Sequence, residues 1–245
     1  MRLVRADLHI HTALSPCAAD EMTPGAIVAA ACEAGLGLIA VCDHNSAGNV
    51  AAVEATARGL TVLAGMEITT AEEAHIVGLF PNSEAARGAA AGVLDSLPPA
   101  DDEYERFFGE QWLFTGDGSL HTSEKKALAM ASALPLDDAI ALIRAHDGLV
   151  IAAHIDRPHS GVVGQLGLFP GDAGFDAIEL SRHAPAGSAA AEAAGAHGLP
   201  IVRGSDSHFL ADIGSVTTGL WVEEPTFAEF ALALAGRDGR GLADA

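Results

Sequence analysis

The stretch Asp7-Leu8-His9-Ile10-His11-Thr12, near the start of the chain, decides how the rest is read. It is the end of a short apolar strand that finishes in two histidines. Side chains alternate between the faces of a strand, so His9 and His11 are expected on one face, with Leu8 and Ile10 on the other. Two imidazoles side by side suit a first-row divalent cation when other segments supply further ligands. Those segments exist. Asp43-His44, Glu67, His75, His154 and Asp206-Ser207-His208 each follow or open a short apolar run.

Between these points apolar runs alternate with helical spacing. Thr23 and Pro24 read as the N-cap and first residue of a helix whose apolar face is Ile27, Ala30, Ala31 and Ala34, ended by Gly35. Leu38-Ile39-Ala40-Val41 is a buried strand that delivers Asp43-His44. A helix over 50–57 precedes the strand Thr61-Val62-Leu63-Ala64, which delivers Glu67, and a tight excursion returns as His75-Ile76-Val77-Gly78-Leu79-Phe80. The alternation then breaks. Residues 81–135 hold a helix, the pair Pro98-Pro99 and an aromatic stretch with Phe107, Phe108 and Trp112. Long connections in compact domains tend to be lids or binding loops, so this segment reads as an insertion packed over one end of the domain, with a surface elaboration as the alternative. Further on come a helix over 137–145, a strand ending in His154, and a strand 177–180 ending in Ser181-Arg182-His183. An alanine-rich helix over 186–196 follows, then a strand ending in 204–208, a strand 216–222 and a helix 226–234.

Strand–helix units joined by short loops imply a mainly parallel α/β sheet. Ligand-type residues after several different strands favour a barrel, in which strand ends far apart in sequence converge on one face. The 245 residues fit one domain, 1–245. A formal charge of −20, from 33 acidic and 13 basic residues, argues against a nucleic-acid backbone as the main partner, because phosphate binding uses clustered Lys and Arg. A nucleotide or a short oligonucleotide is the most nucleic acid expected. The three cysteines (Cys17, Cys32, Cys42) form no CxxC pair and suit a reducing compartment. No secretory-type segment precedes the first strand, and no apolar run is long enough for a bilayer, so a cytoplasmic protein with no membrane partner is expected.

His9, His11, His44, Glu67, His75, His154, Asp206 and His208 make eight candidate metal ligands. Each metal takes three or four protein ligands, so this set implies two or three divalent ions. Imidazole and carboxylate without thiolate suit Mn, Fe or Zn. Glu67 and Asp206 are the candidates to bridge, since a carboxylate has two oxygens to share. Paired metals would present a bridging hydroxide at neutral pH and hold phosphoryl oxygens. A phosphate ester also needs a cation away from the metals. Arg182 and Arg157 lie in strand-end loops, and Arg182, directly after a strand, is the favoured one; a plain ion pair is the alternative for each. His159 and His183 are further candidates to line the pocket. Asp43 has three open roles: metal ligand, orienter of an imidazole, or proton donor to the leaving group. His146 and His197 precede glycines at helix ends and read as structural.

In order, Asp7-Leu8-His9-Ile10-His11-Thr12, Val41-Cys42-Asp43-His44-Asn45, Gly65-Met66-Glu67, His75-Ile76-Val77-Gly78, Ala153-His154 and Gly204-Ser205-Asp206-Ser207-His208 resemble the polymerase and histidinol phosphatase (PHP) family. The resemblance covers residues 3 to about 210. It implies a distorted (β/α)7 barrel with the insertion at about 81–135, a trinuclear metal centre and phosphoesterase activity of the free-standing type. By the same resemblance one metal takes His9, His11, Glu67 and Asp206, a second Glu67, His75 and His154, and a third His44 and His208. One departure stands out. Many members carry an acid or histidine shortly after the first motif to help hold the third metal, whereas this chain reads Ser15-Pro16-Cys17-Ala18-Ala19-Asp20, which implies either Cys17 or Asp20 as the substitute or a weak third site. The expected function is a metal-dependent phosphoesterase acting on a small phosphorylated metabolite or nucleotide. A metallohydrolase of an amide or lactone, and a non-catalytic metal-binding module, are the alternatives.

Overall fold

Every apolar run that ends in a candidate ligand is a strand in a computed structural model, which describes residues 1–184 and 197–243. The helix expected over 186–196 lies outside the described residues. In chain order the elements are β1 (Arg2–Ile10), α1 (Pro24–Glu33), β2 (Leu38–Val41), α2 (Val50–Thr56), β3 (Thr61–Thr69), β4 (His75–Phe80), α3 (Ser83–Ser96), α4 (Asp102–Phe108), β5 (Trp112–Phe114) and β6 (Leu120–Ser123). Then follow α5 (Leu136–Ala145), β7 (Leu149–Ala152), α6 (Val162–Leu166), β8 (Ala177–Leu180), β9 (Ile201–Arg203), a 3-10 turn (Leu210–Asp212), β10 (Thr218–Val222), α7 (Phe227–Leu234) and β11 (Gly241–Leu242). Pro24 sits in the first turn of α1, where its missing N–H costs nothing, and Gly35 takes the left-handed φ of +69° that reverses the chain.

Nine strands form a nearly closed, barrel-like sheet in the order β11-β10-β1-β2-β3-β4-β7-β8-β9. β1, β2, β3, β7, β8 and β9 run the same way, and β4 alone among the barrel strands is reversed, antiparallel to both β3 and β7. The seam closes where Ser207, beyond β9, bridges Ile10 at the end of β1. There His11 N–H donates to Ser207 O at 3.0 Å. β10 and β11 stand outside this ring: β10 pairs antiparallel with the first half of β1, and β11 pairs antiparallel with β10. The result is a distorted TIM-like barrel. Its strand ends, with the start of the reversed β4, open on one mouth.

Two buried clusters divide the apolar residues. One joins outward-facing strand residues such as Ile39, Met66 and Ile178 to helices α1, α2, α3 and α5. The other lies inside the sheet, with Leu38, Leu79, Ile151 and Val202 packed on Phe230 and Ala233 of α7. Leu8 belongs to the inner cluster and Ile10 to the outer one, so the two do not share a face as strict alternation requires. The reason is a register shift between Asp7 and Ile10, a bulge that re-aims the end of β1. Among the described residues no helix is long and apolar enough to cross a membrane.

The segment after β4 is more than an excursion. α3 packs on β3, β4 and α5 as a barrel helix does. Beyond it, the β5–β6 hairpin and the chain after it are stitched to the mouth. Trp112 N–H donates to Ala13 O at 2.9 Å, and Asn49 Nδ2 donates to Trp112 O at 2.9 Å. Asn45 Nδ2 reaches the carbonyls of Leu128 and Met130 at 3.0 and 2.9 Å.

Candidate metal centre

The mouth gathers the histidines and carboxylates from the strand ends. His9, His11, Glu67 and Asp206 each offer an atom, all within 4.8 Å of one another, and all four are buried. His44, Glu67 and His75 form a second such group, and His11, His44 and His208 a third. His154 joins through Glu67, with Nε2 3.0 Å from Oε1. His75 arrives because β4 is reversed: its first residue lies at the mouth, and His75 Nδ1 stands 2.8 Å from Glu67 Oε1. His154 and Asp206 have the left-handed φ values of +24° and +50°, backbone strain of the kind held in place at functional sites.

The hydrogen bonds behind the cluster fix which atoms face it. Ser15 Oγ has one proton, and it goes to Asp43 Oδ1 at 2.7 Å. Ser15 Oγ therefore accepts from His11 Nδ1 at 2.9 Å, which leaves the lone pair of His11 on Nε2. His9 Nδ1 is held by Glu179 Oε2 at 2.9 Å, so its Nε2 also turns inward. His9 Nε2, His11 Nε2 and Asp206 Oδ1 then meet at 3.1 to 3.6 Å, with Glu67 Oε2 at 3.5 Å from both imidazoles. Glu67 Oε2 is buried and accepts no well-aligned hydrogen bond. Four converging acceptor atoms that share at most one proton fit a cation, and imidazole with carboxylate is a transition-metal donor set.

The electrostatics agree. Burial opposes the charge on Glu67, but His75, His9 and His44 around it hold the carboxyl well below its ordinary range. Burial likewise opposes ionisation of Asp206, and His9 and His11 overcome it. Burial and the neighbouring His208 and His44 press His11 well below the usual imidazole value, which favours the neutral ligand form. His9 goes the other way: burial opposes its charge, but Glu179, Glu67 and Asp206 raise it. Cation binding at His9 Nε2 would therefore release a proton.

Asp43 faces away from the cluster. Its oxygens accept from Thr12 N (2.7 Å), Thr12 Oγ1 (2.8 Å) and Ser15 Oγ (2.7 Å), so of the three roles open to it, orientation of His11 through Ser15 is the one its contacts serve. The two arginines have different partners. Arg157 Nη2 lies 2.6 Å from Asp206 Oδ2, whereas Arg182 is paired with Asp212 in the 3-10 turn at 2.8 Å. His159 and His183 are exposed: Arg182 Nε lies 3.4 Å from His183 Nε2, and the His159 carbonyl accepts from Gln165. The structure brings neither to the cluster. Cys17 and Asp20 also part company. Burial disfavours the Cys17 thiolate, yet hydrogen bonding to His208 and His44 lowers the thiol to about 6. Asp20 instead accepts from Trp112 Nε1 at 3.2 Å.

Glu179 was missed. It anchors His9 and accepts from His154 N at 3.3 Å, so one carboxylate sets two candidate ligands. The sequence carries a signal for it: in Ala177-Ile178-Glu179-Leu180 an acid stands in a strand buried throughout, and a buried carboxylate requires partners. Gly204 is equally part of the frame, because a Cβ there would lie 2.7 Å from His9 Cβ and 2.8 Å from Glu179 Oε1.

The barrel mouth thus collects imidazoles and carboxylates able to hold metal ions. The PHP-associated family model matches residues 187–238. An uncharacterised Bacillus subtilis protein, YqxK, is 35% identical over 100 residues, 39% of this chain and 26% of its own length. The lesion-specific endonuclease Q of Pyrococcus furiosus superposes with a TM-score of 0.72 at 20% identity, covering 98% of this chain; the chain spans 58% of the endonuclease. A candidate metal-dependent phosphoesterase from Bifidobacterium adolescentis gives 0.58 at 18% identity, over 83% of this chain and 87% of its own. An amidohydrolase from Chromobacterium violaceum, solved with bound sulfate and no metal, gives 0.60 at 23%, over 85% and 89%. At these identities the likeness to the solved structures is one of fold.

Proposed function

We propose that the protein is a metal-dependent phosphoesterase that hydrolyses a small phosphorylated metabolite or nucleotide. The observation that carries this reading is Arg157. Its guanidinium, about a third exposed, stands at the rim of the cluster against Asp206, where a planar fork can take a phosphoryl oxygen. A neutral amide or lactone has little use for that cation. DNA, held in one endonuclease Q complex, offers the same kind of bond, but 33 acidic against 13 basic residues disfavour a long polyanion.

His9, His11, Glu67 and Asp206 would hold one divalent ion, Glu67 with His75 and His154 a second, and His44 with His208 a third, with Mn, Fe or Zn suited to the donors. When bound, such ions lower the pKa of a coordinated water and neutralise phosphoryl oxygens. The chain's own residues supply the rest. Glu179 and the Ser15–Asp43 pair orient His9 and His11, Glu67 and Asp206 supply negative charge, and Arg157 grips the ester.

The test is phosphate release from a panel of phosphorylated metabolites with Mn, Fe or Zn. Arg157→Ala is expected to lower kcat/KM by about ten- to a hundredfold with metal content retained, the loss of a charge-assisted hydrogen bond. Arg182→Ala is expected to change thermal stability more than turnover. No phosphate release from any ester, with hydrolysis of amides or lactones, rejects the proposal.

A further inference from the structure

We infer that Phe108 is the specificity-determining residue of this site and selects phosphate esters whose alcohol carries a planar ring; this rests on the phosphoesterase reading above. A cavity of about 220 Å³ lies beside the candidate metal centre. The barrel mouth gives it His44 and His75, the loop after β1 gives it Pro16 and Cys17, and the inserted segment gives it Phe108 and Ala129. Everything contributed by the insertion is apolar. The polar side is formed by the candidate ligands His44 and His75 with Thr69.

The Phe108 ring is a braced surface. Tyr104 packs on it with centroids 4.7 Å apart, and Phe107 meets it edge-on at the same distance. Tyr104 is buried, donates its hydroxyl to Gln111 Oε1 at 2.9 Å and accepts from Ala129 N at 2.8 Å. One hydrogen-bonded tyrosine thus ties together the two insertion residues that line the cavity. A ring fixed in this way stacks on another ring with little further loss of freedom, and its face attracts any planar π-system without reading its edges. The size points the same way. At about 220 Å³ the space is below the roughly 300–1,000 Å³ of pockets for drug-sized ligands, so it suits one ring near a phosphoryl group and excludes a folded strand of nucleic acid.

Adenosine 5′-monophosphate and ribose 5-phosphate isolate the effect, because they share the scissile bond and differ by the base. The wild-type protein is expected to prefer the nucleotide in kcat/KM. Phe108→Leu keeps apolar bulk without the ring and should reduce that preference by about five- to a hundredfold, the range of single-base stacking; Phe108→Trp should restore it. Calorimetric affinities of the chelator-treated protein for the two compounds are measured alongside. A preference that is absent in the wild type, or unmoved in Phe108→Leu, overturns the inference. Should neither ester be hydrolysed, the wider panel of esters decides the phosphoesterase reading, and the ratio of affinities decides the role of Phe108 by itself: equal affinities in the wild type, or a ratio unmoved in Phe108→Leu, overturn it.

Discussion

Replacing Glu67 with glutamine is expected to strip most of the bound metal and to lower phosphate release by more than about a thousandfold. Glu67 belongs to two of the three groups and lies against His11 and His44 of the third. Oε1 is shared by His75 and His154 at 2.8 and 3.0 Å, while Oε2 faces His44 at 3.0 Å and His9 and His11 at 3.5 Å. Glutamine keeps the shape but removes the charge and turns one oxygen into a donor, so it can neither bridge two cations nor neutralise them. Substitution of groups that merely orient a ligand costs about 10–100-fold, and loss of a bridging ligand should exceed that. Elemental analysis and turnover on one preparation check the result. Full metal content with wild-type turnover would remove Glu67 from the centre.

Glu179→Gln is the second large effect. The carboxylate touches no other member of the acceptor cluster except through His9, yet it holds His9 Nδ1 at 2.9 Å and His154 N at 3.3 Å. Both protons go to Oε2, so a glutamine oxygen there keeps the two contacts, but the amide carries no charge and sets an N–H where Oε1 lies 3.2 Å from His9 Nδ1. We expect about 10–100-fold weaker metal affinity with the fold retained, the usual size for a group behind a ligand. Titration of the chelator-treated variant with Zn or Mn measures it. An unchanged affinity would show that Glu179 only satisfies a buried strand.

The pattern of the site was legible because its residues sit at strand ends, and strand ends are marked by apolar runs. His9, His11, Glu67 and Asp206 could be listed from the chain, and the structure gathers them into one buried group. What the sequence hid was anything set by direction or register. Leu8 and Ile10 part company across a bulge that no local composition announces. The two arginines look alike in sequence, and only the course of the loops after β7 and β8 puts Arg157 on Asp206 and Arg182 on Asp212. Glu179 was visible but silent, an acid inside a strand whose neighbours read simply as buried.

The reversed strand has a kinetic consequence. Because β3 and β4 form a hairpin, Glu67 and His75 meet across only eight residues, so this half of the centre assembles from local contacts. His11 and Asp206 lie 195 residues apart, and their meeting requires the ring to close at the seam held by Ile10 and Ser207. Closure is therefore expected late, and a cation chelated across His11 and Asp206 would act as a clasp on this long loop. Without it, amide exchange should quicken first along 201–208 and the end of β1, while the β3–β4 hairpin keeps its protection. The metal would then be part of how the barrel stays shut.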